Sequence, residues 1–123
     1  MIVAHISLLS RIKSLRYAIS GIWLMLRTQH NAWVHLAATV TVVTTGLFLH
    51  ITAADWRWIA VAILLVWVAE TLNTAFEHLC DVVSPDFHPS VQKSKDIAAG
   101  AVLICALGAI AIGALTFWPY FVR

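Results

Sequence analysis

Glu70, Asn73, Glu77 and Asp81 follow one another at steps of three, four and four residues in the stretch "WVAETLNTAFEHLCD". An α-helix turns about 100° per residue, so these four side chains share a face. The stretch begins inside a strongly apolar run, where a carboxylate is costly unless it is paired, solvated or neutral. At roughly 1.5 Å per residue, Glu70 lies about 10 Å deeper along the helix than Glu77. Glu77 and Asp81 therefore belong near water, and Glu70 near the boundary of the acyl chains. Such a gradient suits a reaction between a water-soluble and a lipid reactant. The outer acid can hold a hard cation such as Mg²⁺, which takes one or two carboxylates and completes its shell with water and phosphate oxygens. The deeper acid is placed to accept the proton of a lipid hydroxyl. The plainer reading is that the stripe only links helices through hydrogen bonds.

Lys95 and Asp96 stand between the last two apolar runs. Lys95 can hold a polyphosphate, helped by the backbone N–H groups and dipole of a helix expected to start there. A membrane-edge lysine beside an N-cap aspartate would have the same sequence. Glycine loops of the Walker or protein-kinase type are absent, so a nucleotide site here is of another design. His88, between Pro85 and Pro89, reads on its own as a loop residue.

These residues sit in a chain of 123 residues that is 61% hydrophobic and 11% charged, with a mean hydropathy of +0.86. That is the composition of an all-α integral membrane protein, one domain over 1–123. A net charge of +2 gives no argument for a nucleic-acid partner. Residues 34–51, 56–80 and 97–121 are long and apolar enough to span. Ahead of them, Leu8, Ile12, Leu15, Ile19, Ile22 and Leu26 repeat at helical spacing while Arg11, Lys13 and Arg16 lie mostly elsewhere around the helix. A basic amphipathic helix over about 8–28 is expected, lying in the membrane interface or, alternatively, capping the bundle.

Basic residues set the topology. Arg11, Lys13, Arg16 and Arg27 precede the first span, and Lys93 and Lys95 precede the third. The turn between the first two spans has Arg57 with Asp55 beside it. The N-terminus and the 81–96 loop are thus expected in the cytoplasm, with the 51–56 turn and Arg123 outside. Trp56, Trp58, Trp118 and Tyr120 fit interfacial aromatic belts, and His35 and His50 bracket the first span. Small residues in the third span lead us to expect it at the centre of the bundle. Residues 82–95 read as the only substantial loop. Cys80 and Cys105 read as small apolar side chains. The first residues, "MIVAHISLLS", lack a basic leader and a cleavage site.

"AETLNTAFEHLCD", then "SPDFHP", then "KSKDIAAGAVLI", resembles the bacterial diacylglycerol kinase and undecaprenol kinase family of small membrane enzymes. The lead-in "RYAISGIW…RTQHNAWVHL" resembles it too, so the likeness runs from about Arg11 onward. It implies a homotrimer of three-span subunits with an N-terminal surface helix in the bacterial cytoplasmic (inner) membrane. That trimer would use Mg²⁺ and ATP to phosphorylate diacylglycerol or undecaprenol on the cytoplasmic side. By the same likeness Glu70 is the general base, Asn73 orients the cluster, and Glu77 is a ligand of the metal on the ATP phosphates. Lys95 and Asp96 match the nucleotide-contacting pair, and Asp86, Phe87 and His88 the loop over the nucleotide. Tyr17 matches a nucleotide-contacting tyrosine, and Arg11 falls near a basic residue of the surface helix. Gln29 stands where the family usually has a second acidic metal ligand. A Gln carbonyl can coordinate Mg²⁺ but brings no charge, so weaker metal binding, or help from Asp81, is expected. "SPDFHP" leans towards the undecaprenol branch.

Two rivals remain on sequence grounds. One is a small proton-coupled exporter with Glu70 as the proton carrier; the other is a non-catalytic assembly or pore-forming protein. The exporter would leave Glu77, Asp81 and Lys95 without a task.

Overall fold

The computed structural model describes residues 7–122; Met1–Ile6, most of the stretch read as lacking a leader, and Arg123, expected outside, lie beyond the described residues. Four helices follow in order: α1 (Leu8–Thr28), α2 (His30–Leu49), α3 (Ala53–Val83) and α4 (Pro89–Phe121). The last three are long and apolar enough to cross a membrane.

Local chemistry sets their ends. The Ser7 hydroxyl accepts from Ser10 N–H at 3.2 Å and opens α1, and Thr52 does the same for α3 with Asp55 N–H at 3.2 Å. α2 ends where His50 takes the left-handed conformation (φ 51°, ψ 50°), its N–H reaching back to Gly46 and Leu47 carbonyls. A three-residue turn then leads straight into α3. At 31 residues α3 is about 46 Å long, more than the ~30 Å hydrocarbon layer needs. Part of it therefore extends beyond that layer, and Glu77 and Asp81 lie in its last turns.

α4 begins earlier than the sequence led us to expect. His88 Nδ1 accepts from Ser90 N–H at 3.2 Å, and Pro89 occupies the first turn, where its missing N–H costs nothing. The 82–95 loop shrinks to residues 84–88, and Lys93, Lys95 and Asp96 become helical. The expectation that a helix N-terminus adds N–H groups beside Lys95 is thereby overturned: that terminus lies about 9 Å back along the axis.

α3, not α4, is the central helix. It packs most extensively on α4 and also touches α1 and α2. It alone buries a series of side chains: Ile59, Ala62, Val66, Glu70, Asn73, Thr74 and Cys80. α4 buries only Val102 and Thr116, and at Gly100, Gly108 and Gly113 an added Cβ would meet open space. Leu115 and Phe48 are about four-fifths exposed, as expected of faces turned to lipid or to other copies of the chain. On α1 every residue but Met25 and Leu26 is exposed, apolar and basic alike, as suits a helix lying at an interface.

Candidate active site

Glu70 is fully buried, although it carries a carboxylate. Its Oε2 lies 3.2 Å from Nε2 of His35, which α2 presents from the other side of the helix pair. Its Oε1 is buried and has no partner. Around this pair the helices are fixed by other bonds. Trp67 Nε1–H donates to Thr39 Oγ1 at 2.9 Å, and that hydroxyl donates to the His35 carbonyl at 2.7 Å. The Trp67 ring also meets the His35 ring edge-on, with centroids 6.2 Å apart. One turn on, Thr74 Oγ1 donates to the Glu70 carbonyl. Thr71 Oγ1 lies 3.2 Å from the sulfur of Met25, the buried residue that anchors α1 to α3.

Towards the C-terminal end of α3, Asn73 Nδ2 donates to Glu77 Oε1 at 3.3 Å, while Asn73 Oδ1 is buried without a partner. The amide thus aligns the neighbouring carboxylate. Further along, Lys95 of α4 donates to Asp81 Oδ1, closing the stripe with an ion pair between α3 and α4. Asp81, not Glu70 or Glu77, is the partner of Lys95. Asp96 accepts from Gln92 within α4 at 2.9 Å.

The remaining residues singled out by sequence make no hydrogen bond or ion pair with the stripe among the described residues. Arg11 and Tyr17 are exposed along α1. Gln29 is half-buried at the junction of α1 and α2, where it caps both helices through its backbone. Asp86 and Phe87 are exposed in the 84–88 loop, and His88 is engaged as the cap of α4. Among the described residues, no three His, Cys, Asp or Glu side chains gather closely enough to hold a metal. His35 is the residue that sequence reasoning missed. The signal lay in placing a titratable side chain in each of two apolar runs, since such groups pair with one another inside a membrane.

A family model described as Prokaryotic diacylglycerol kinase matches residues 16–117. The undecaprenol kinase of Bacillus subtilis is 37% identical over 107 residues, 87% of this chain and 87% of that protein. The diacylglycerol kinase of Synechocystis sp. is 36% identical over 107 residues, 86% of this chain and 61% of that one. The diacylglycerol kinase of Escherichia coli (strain K12) is 26% identical over 97 residues, 73% of this chain and 80% of that one. Since the match runs from the surface helix through all three spans, and so takes in the whole stripe of α3, the chain belongs to the prokaryotic diacylglycerol kinase family, a family of membrane lipid kinases.

Proposed function

We propose that the chain transfers the γ-phosphoryl group of ATP to the hydroxyl of a membrane lipid alcohol, with undecaprenol favoured over diacylglycerol. One observation carries the reading: a buried carboxylate with one oxygen held by His35 and the other unpartnered, at the deep end of a stripe that reaches water. Glu70 Oε1 takes the proton of the lipid hydroxyl. The freed oxygen forms its bond to the γ-phosphorus as the bond to the β-phosphate bridging oxygen breaks, and ADP leaves. No phosphorylated protein intermediate is needed.

The donors present fit Mg²⁺ delivered with ATP. One aligned carboxylate, Glu77, with the Gln29 side chain that the family resemblance assigns to the metal, would leave most of the coordination shell to phosphate and water, as Mg²⁺ prefers. The buried, unpartnered carbonyl of Asn73 beside Glu77 is a further polar group awaiting a partner. When bound, the ion neutralises charge on the phosphates. Asn73 holds Glu77 in place for it, and Lys95, Asp96, the 86–88 loop, Tyr17 and Arg11 are assigned to the nucleotide.

The family resemblance implies a homotrimer in a bacterial inner membrane, and the placement of the basic residues supports an N-terminus and active site facing the cytoplasm. Three helices with so little of their apolar surface buried leave broad faces for neighbouring subunits. A proton-coupled exporter is less well supported, because Glu77, Asn73 and the Lys95–Asp81 pair would serve no step in it.

The preference for undecaprenol rests on the Bacillus relative, whose match covers both chains nearly end to end, and on the "SPDFHP" loop. The test is labelled ATP supplied with a panel of polyprenol and diacylglycerol acceptors, on wild type and on Gln29→Glu. Undecaprenol should be labelled faster than diacylglycerol, and Gln29→Glu should reach half its maximal rate at lower Mg²⁺. Equal or faster labelling of diacylglycerol would reverse the acceptor assignment, and no labelled lipid of either kind would remove the kinase reading for this chain.

A further inference from the structure

Glu70 meets its partner through one oxygen only. With Glu70 ionised, His35 Nε2 carries the proton and donates it to Oε2. That bond fixes the carboxylate's rotation and leaves Oε1 as the oxygen able to accept a proton. His35 also lines an apolar groove of about 630 Å³ between α2, α3 and α4, together with Val34, Ala38, Val66 and Ala106. The imidazole therefore stands between the carboxylate and the hydrocarbon on that side.

We propose that His35 is a positioning residue for phosphoryl transfer, holding Glu70 by Oε2 so that Oε1 is aimed at the lipid hydroxyl. This rests on the kinase reading above. A purely structural tie between α2 and α3 is an inadequate account of the bond, because the Trp67–Thr39 hydrogen bond already makes that tie without the imidazole nitrogens. Holding Glu70 requires a donor at the place of Nε2. It requires neither the charge nor the aromaticity of histidine. The two states of the carboxylate also differ in what they ask of His35. Ionised, Oε2 has its donor, so the buried charge is stabilised without occupying the oxygen that reacts.

Three variants of the full chain, reconstituted in lipid, test this: His35→Gln, His35→Asn and His35→Leu. The Gln amide nitrogen reaches the position of Nε2, whereas the Asn amide stops short of it. A hydrogen bond to a charged group is worth enough to predict that His35→Leu and His35→Asn lower kcat by about 10- to 100-fold. Since ATP binds elsewhere on the stripe, KM for ATP should stay within about twofold. His35→Gln should return kcat to within about threefold of wild type. Thermal unfolding of each variant shows which are folded, and the Gln–Asn contrast suffices should His35→Leu fail to fold. The proposal is overturned by wild-type kcat in His35→Asn, or by His35→Gln as slow as His35→Asn with both folded. A wild-type protein that labels no lipid would instead sink the underlying kinase reading, whatever the variants do.

Discussion

At the start of α3, Thr52, Asp55 and Tyr120 bond to one another; in its later half, Glu70 and Asn73 each bury an oxygen that bonds to nothing in the chain. Tyr120 donates to the Asp55 carboxylate and accepts from Thr52 N–H, so the beginning of α3 is clasped to the end of α4. Both clusters are polar groups in an apolar protein, and both join helices. They differ in completeness. Native proteins leave few buried polar atoms unpaired, and each exception needs a reason. Among the described residues only Glu70 Oε1 and Asn73 Oδ1 are such exceptions, and both lie on the stripe. A clasp uses up its hydrogen-bonding capacity within the fold, whereas a site keeps some of it for a reactant.

The largest effect should come from Glu70→Gln. The amide has nearly the same shape, so it can still meet His35, but it cannot take a proton. Loss of a general base lowers kcat by at least about 100-fold. Thermal unfolding in detergent should change little beside that loss. A variant that kept its rate and lost stability would place Glu70 with Asp55, as a clasp, and erase the difference between the two halves of α3.

What could be read from sequence follows the same division. The stripe was legible because its four polar residues stand out against apolar neighbours at helical spacing, and the rotation per residue fixes their common face. Nothing comparable marks α2. Its side chains are apolar nearly all round, so no pattern says which face meets α3, and His35 reads as a residue at the edge of a span. Only packing turns it towards Glu70. The start of α4 was hidden for a different reason. "PSVQKSK" has no apolar periodicity, and Pro85, Pro89 and the serines read as loop until Pro89 and His88 are seen as a first turn and its cap. In consequence Lys95 and Asp96, legible as types, were set in the wrong local structure. The choice of Asp81 as the partner of Lys95 depends on the way α3 and α4 lie side by side, which no single stretch contains.

Tyr120→Phe should act in the opposite sense to Glu70→Gln. It removes the hydroxyl that bonds to the Asp55 carboxylate and to Thr52 N–H, and it leaves the apolar ring. A hydrogen bond to a charged group contributes up to about 3 kcal/mol, and partial access to water reduces the loss here to about 1–2 kcal/mol. Unfolding should occur at lower temperature, with kcat and KM for ATP within about twofold of wild type. A large drop in kcat with unchanged stability would show that the clasp reports to the site and that the two halves are not independent.

Gly46→Ala tests the same half of the molecule by packing instead of hydrogen bonding, and its effect should be the smallest. Gly46 lies in the last turn of α2, against Trp56 near the start of α3. An added Cβ would come 2.7 Å from Trp56 Cη2 and 3.1 Å from Ile51 Cδ1, both too close. Alanine favours the helix by about 1 kcal/mol over glycine, which works for the variant. Forcing a methyl group into a filled contact costs about 1–3 kcal/mol, which works against it. The clash is with the far edge of the indole, a bulky ring at the start of α3, and Ile51 of the α2–α3 turn crowds the same methyl group. A net loss of about 1 kcal/mol is therefore expected, seen as a slightly lower unfolding temperature, with lipid phosphorylation unchanged. A gain in stability would mean that the indole swings aside freely and that the turn is held by the His50 and Thr52 caps alone.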